Sequence, residues 1–264
     1  MKLNSKPTVA ADPTVIMARQ VLYRFASLTL ADPLAGAWDR LDTLRNDSPL
    51  VEAAALIREV AKISPSELGL GERPTAELDP RPVLDQLPGS RHAHNAEYEK
   101  TFGLLVSSIC PPYETEYIGS KFEFQRSNGL SDINGFYHAF GLAIADKHPE
   151  RADHIVLELE FMAHLLELDR RAANDAGELR KNHLQVCRDA QSRFLKEHLA
   201  WWVPAFAKLL ALESRSGFFA AAGVFLAALI PVERAVLKVD RQSRPLSASR
   251  PELPETCEGC QLAT

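Results

Sequence analysis

Cysteine is scarce in this chain, with four among 264 residues (Cys110, Cys187, Cys257 and Cys260). That is too few for a disulfide scaffold and fits a reducing compartment. β-Branched residues are scarce too: Val, Ile and Thr total 32 against 71 Ala and Leu, and there are only 13 Gly. Ala and Leu lose little side-chain freedom in a helix while β-branched residues favour pleated strands, so turn-dense β folds are excluded and a mostly helical protein is expected. Basic runs are absent, and 30 Lys plus Arg against 35 Asp plus Glu leave a net charge of −5, a field that repels phosphate backbones. Nucleic acid is therefore not expected as a partner. The longest uncharged stretch, 216–232, has 17 residues with Pro231 near its end. A spanning helix needs about 20 apolar residues, so this stretch is expected to be a buried core helix, without membrane insertion. The first 20 residues hold no apolar run ahead of a small-residue cleavage site, and a cytoplasmic protein is expected.

What is present is an ordinary globular composition, 46% hydrophobic and 25% charged, in a length that allows one large domain or two small ones. Val15, Ala18, Val21, Leu22, Phe25 and Leu28 share a face at helical spacing, after Asp12 as N-cap and Pro13 at the first helical position. The pattern repeats over 34–44 and 50–61. Five prolines (Pro65, Pro74, Pro80, Pro82, Pro88) make 64–90 a long connection with one helical turn. Helices are expected again over 91–105, 130–146, 150–175, 178–200, 202–213 and 216–230, with a short one near 232–239. Pro149, Pro204, Pro231 and Pro245 stand at or near the expected boundaries. From Ser243 the chain is polar and proline-rich. The expectation is one all-α domain over 1–242 and a flexible tail over 243–264.

Three groups of residues could carry chemistry. The tail holds Cys257-Glu258-Gly259-Cys260, able to chelate a metal or form a redox disulfide, though structural zinc needs four ligands and no second pair follows. The stretch from Asp153 places His154 with Glu158, and Glu160 with His164, at i,i+4. Such pairs can ligate a metal, but the Glu-x-x-His repeats of di-iron bundles and the H-E-x-x-H of metalloproteases are missing. No nucleophile elbow, phosphate-binding loop or dinucleotide fingerprint is found either, so neither an enzyme nor a cofactor is expected. The third group is CPPYETEY, 110–117, where Pro111-Pro112 stiffen the entry and Tyr113 and Tyr117 stand four apart. On the residues alone this is equally a capped helix start with packed tyrosines.

The order of three motifs resembles a known family, the TorD/DmsD/NarJ-like redox-enzyme maturation chaperones. YEKTFG at 98–103 is similar to its aromatic-x-x-Leu-Phe segment, with Thr101 at a usually apolar position. CPPYETEY is similar to its Pro-Pro-Tyr-Glu-Ser-x-Tyr signature, with Thr115 for Ser. GFYHAFGL at 135–142 and DHIVLELEFMAHLL at 153–166 are similar to its third block. The wording of 110–117 and 187–206 is closest to the branch serving type II molybdopterin enzymes of the dimethyl sulfoxide reductase superfamily. The resemblance implies an all-α, non-catalytic chaperone, monomer or homodimer, whose partner is the apo catalytic subunit of a molybdopterin oxidoreductase and its twin-arginine signal peptide. The implied client-binding residues are Tyr98, Phe102, Pro112, Tyr113, Glu114, Tyr117, Asp153 and His154. Glu114 and Asp153 would pair with guanidinium groups and the aromatics and Pro112 would form an apolar floor; Asp153 could equally cap the helix beside it. The alternatives are a metal- or thiol-dependent helical oxidoreductase using Cys257 and Cys260, and a helical adaptor with an unrelated client.

Overall fold

A computed structural model describes residues 9–103, 110–118, 123–144, 150–173, 177–214 and 217–241. The tail expected from 243, with Cys257 and Cys260, lies outside the described residues. The first helix, α1 (Pro13–Leu30), begins as its sequence dictates: Asp12 accepts from the Thr14 and Val15 amides and Pro13 needs no amide partner. A single turn at Pro33–Ala35 and Gly36, left-handed at φ 92°, lead into α2 (Ala37–Thr43). Asp47 then caps α3 (Ser48–Val60). The proline-rich connection contains two short 3-10 turns, Pro65–Glu67 and Thr75–Glu77, and the brief α4 (Arg81–Asp85). Ser90 caps α5 (Arg91–Phe102), and the helices α6 (Glu123–Ala139), α7 (Ile155–Ala172) and α8 (Gly177–Phe194) follow. A π turn at Leu195–Leu199 joins α8 to α9 (Ala200–Glu213), and α10 (Gly217–Leu237) closes the order.

No strand is found among the described residues, and the fold is all-α as composition predicts. Two packing units meet in one core. α1 lies against α7 and α3, α9 lies against α10, and α10 also touches α1. Phe25 of α1 meets Phe225 of α10 edge-on at 5.1 Å. The α9–α10 contact is close because position 223 has no side chain: a Cβ on Gly223 would stand 2.7 Å from the Ala207 carbonyl and 2.8 Å from the Ala211 amide. Across the core, Arg19 of α1 makes a two-pronged pair with Glu233 of α10 (2.8 and 2.7 Å) and donates to Gln191 of α8 at 3.0 Å. Both charged side chains are fully buried.

Two expectations from proline placement need correction. Pro204 and Pro231 lie inside α9 and α10 rather than at boundaries, so 216–230 and 232–239 are one helix. Proline at 231 leaves the Ala227 carbonyl without its helical donor; the Arg73 amide fills that place at 3.0 Å. The proline-rich connection thus repairs the helix it crosses. Likewise 178–200 and 202–213 are not separate helices: the π turn carries the chain through without a break. The helix expected over 130–146 lies earlier, at Glu123–Ala139. α10 is long and apolar enough to cross a membrane, but 72% of its most apolar window is buried in this fold, as expected of a core helix.

Candidate functional site

The segment Cys110–Ile118 is pinned across the start of α7. Tyr113 and His154 form an isolated antiparallel bridge. The Glu114 amide donates to the Asp153 carbonyl and the Ile155 amide to the Pro112 carbonyl, both at 2.9 Å. Pro112, whose nitrogen cannot donate, needs only its carbonyl satisfied. A short 3-10 turn, Glu114–Tyr117, follows the bridge.

Both carboxylates of the expected site face inward. Asp153, with no exposure, accepts from the Thr115 amide (3.0 Å), the Thr115 hydroxyl (2.7 Å) and both Nε (3.1 Å) and Nη2 (2.9 Å) of Arg151. It does not cap α7. That role falls to His154, whose Nδ1 accepts from the Val156 amide at 3.2 Å. Glu114, also buried, accepts from Trp201 Nε1 at 2.7 Å and sits 3.1 Å from His198 Nδ1. Burial raises the Glu114 carboxyl, opposed by His198 and Trp201. Beneath it, fully buried Glu158 accepts from Trp202 Nε1 at 3.2 Å. Burial, then the neighbouring Glu114 charge, push the Glu158 carboxyl well above the usual range.

The outward face is aromatic and acidic. The Tyr113 phenol, half-exposed, donates to exposed Glu150 at 3.1 Å, its ring meets His154 edge-on at 5.1 Å, and the Arg151 guanidinium lies 4.2 Å over the ring centre. Burial and Glu150 push the phenol up to about 12, so it remains a donor at neutral pH. Tyr98 on α5 stands nearby: after burial, Asp32, Glu150 and Tyr113 raise its phenol. Its ring packs on Phe102 at 4.9 Å. Phe102 is buried with Phe219, and Tyr117 donates to the Pro111 carbonyl (3.1 Å) while its ring packs on Trp202. His154 is 5% exposed and burial lowers its affinity for a proton.

The structure therefore gathers Pro112, Tyr113, Glu114, Tyr117, Asp153 and His154 into one knot and sets Tyr98 and Phe102 on an adjoining aromatic cluster. Tyr98, Tyr113 and Tyr117 are partly exposed, and the others are buried. Sequence reasoning misses Arg151, Thr115, Glu150, Asp32, Trp201 and His198. Arg151, two residues before Asp153, carried a local signal, whereas the Trp201 and His198 contacts to Glu114 span more than 80 residues. The i,i+4 metal pairs do not assemble: Glu158 meets Trp202, and Glu160 accepts from Ser27 of α1 at 3.2 Å.

The fold and this knot define an all-α protein whose α7 entry is locked by a proline-tyrosine segment. Residues 81–208 match the family model described as nitrate reductase delta subunit. The chain is 30% identical to the chaperone protein TorD of Photobacterium profundum, covering 51% of this chain and 61% of that protein. It is 31% identical to the selenate reductase assembly chaperone protein of Thauera selenatis and 30% to the chlorate reductase assembly chaperone protein of Ideonella dechloratans, each over 42% of this chain and 54% of the relative. The chain thus spans between half and two thirds of the length of these relatives. These matches support its resemblance to the TorD-like maturation chaperones.

Proposed function

We propose that this protein is a non-catalytic cytoplasmic chaperone that binds the apo catalytic subunit of a molybdopterin oxidoreductase, through its twin-arginine signal peptide, and withholds it from export until the molybdenum cofactor is inserted. The observation that carries the reading is the outward face of the knot, where the Tyr113 phenol donates to the exposed Glu150 carboxylate and the charges of Glu150 and exposed Asp32 act on the Tyr98 phenol. A guanidinium needs a carboxylate for charge-assisted hydrogen bonds and stacks on an aromatic face; Arg151 already sits on Tyr113 in this way. In this reading Glu150 and Asp32 meet the peptide's arginines, Tyr113 and Tyr98 take its apolar flank, and Asp153, Glu114, His154 and Pro112 are positioning residues. Phe102 and Tyr117 support them from the core. The relatives named for assembling selenate and chlorate reductases support an oxidoreductase client. Co-purification of the full chain from its native host, followed by mass spectrometry, tests this: a molybdopterin catalytic subunit should dominate, and its consistent absence from expressing cells overturns the proposal.

A further inference from the structure

Behind Glu114, on the side away from Tyr113, a second group of side chains converges. His198 sits in the π turn, where the regular ladder between α8 and α9 is interrupted. π turns insert a residue and re-aim side chains, and they recur at functional sites. Here the turn sends the His198 ring between Phe136 and Phe194, at 5.3 and 4.9 Å. Its Nδ1 faces the Glu114 carboxylate at 3.1 Å. Its Nε2, on a residue only 3% exposed, has no hydrogen-bond partner among the described residues and lies 3.4 Å from Asp132 Oδ2 of α6. Glu197, the preceding residue of the turn, completes the group: one donor from each of Asp132, Glu197 and His198 lies within 4.8 Å of the others.

We propose that Asp132, Glu197 and His198 form a binding site for a first-row divalent cation of the zinc class. Tetrahedral ligands at about 2.0–2.2 Å from such an ion stand about 3.3–3.6 Å apart, the separation His198 Nε2 and Asp132 Oδ2 already have. The imidazole–Glu114 contact is the second piece of evidence. A ligating histidine characteristically passes its other ring proton to a carboxylate, which fixes the tautomer and leaves the free nitrogen as the metal donor. One imidazole with two carboxylates suits zinc, cobalt or manganese better than the thiolate-seeking ions, and water completes the fourth position. The Asp132 side chain is 58% and the Glu197 side chain 39% exposed, which opens a path for the ion. Arg193, 3.3 Å from Glu197, is the cation that the metal must displace there. The bound ion ties α6 to the π turn directly behind the carboxylate that supports the Tyr113 segment.

The test uses the full chain carrying Cys257→Ser and Cys260→Ser, so that the tail thiolates cannot account for the result, titrated with Co2+ and with Zn2+ in competition; Cys110 and Cys187 are buried. The expected result is one equivalent of Co2+ bound, with the visible absorption of a four-coordinate oxygen and nitrogen site and no thiolate charge-transfer band. Asp132→Asn and Glu197→Gln, both at solvent-facing side chains, should each weaken binding about tenfold or more while leaving the urea midpoint in place. Absence of Co2+ binding in this chain, or affinity in both carboxylate variants equal to that of the chain without them, overturns the proposal.

Discussion

The reading of Asp153 as a positioning residue and Tyr113 as a contact residue leads to opposite behaviour in two single substitutions. Asp153→Asn keeps the shape of the side chain. Its remaining carbonyl oxygen can still accept from the Thr115 amide and hydroxyl, now 3.0 and 2.7 Å away, but its amide then faces Arg151 Nε, donor against donor. A hydrogen bond to a charged group is worth about 1.5–3 kcal/mol, and Arg151 is about a third exposed, which screens part of it; the net loss is about 1–2 kcal/mol. Tyr113→Ala removes an edge-on contact with His154 and a surface hydrogen bond to Glu150, about 1 kcal/mol. For binding, the order reverses in selectivity. Loss of an aromatic anchor weakens a peptide by about 1–3 kcal/mol. Urea unfolding followed by helical circular dichroism, paired with titration calorimetry of a twin-arginine peptide, separates the two. The account requires Tyr113→Ala to lose affinity at nearly native stability, and Asp153→Asn to lose both. An unchanged urea midpoint in Asp153→Asn, or unchanged affinity in Tyr113→Ala, refutes the division of roles.

Other consequences are equally direct. Arg19→Met strands Glu233 in the core without its partner and should cost about 3–5 kcal/mol in urea unfolding, whereas Arg19→Met with Glu233→Leu should recover most of it; equal losses in both would contradict the stranded charge as the cause. His94 is fully buried against Phe218 with neither ring nitrogen hydrogen-bonded among the described residues, and burial lowers it to about 4. Its folded value lies below the unfolded one near 6.5, so the stability it confers is present above about pH 6.5 and is lost as pH falls toward 4, by at most about 3 kcal/mol. His94→Leu should flatten the acid limb of the stability profile; an unchanged limb contradicts the assignment. Gly223→Ala pushes a methyl against the Ala207 carbonyl and Ala211 amide and should lower stability by about 1–3 kcal/mol in thermal melts, with no change in peptide affinity corrected for the folded fraction.

Local signals were legible in the chain and long-range ones were not. Asp12-Pro13 announces α1 to the residue because a cap is a three-residue event. Pro231 misleads for the opposite reason: whether it breaks a helix depends on a donor 158 positions earlier in sequence, the Arg73 amide that fills the Ala227 carbonyl. The motif order locates the knot, and periodicity alone cannot. Yet the motif does not tell which way its carboxylates face. Glu114 and Asp153 read as ligands for a partner's arginines, and the structure turns both inward, because Trp201, His198 and Arg151 arrive from sequence positions with no pattern linking them to 114. The exposed acid Glu150 stands in an ordinary-looking stretch, and only the hydrogen bond it accepts from Tyr113 brings it to the proposed site. His198 was invisible for the same reason, since a π turn has no sequence signature of its own.

The central claim, that the Tyr113 face receives the client, is tested most directly by a photo-crosslinking residue at position 113 of the full chain in its native host. The account predicts a crosslink to the N-terminal region of a molybdopterin catalytic subunit, diminished by Glu150→Gln and not reproduced from exposed Leu179 of α8. Capture of the same protein from both positions, or of no oxidoreductase subunit from position 113, would contradict it.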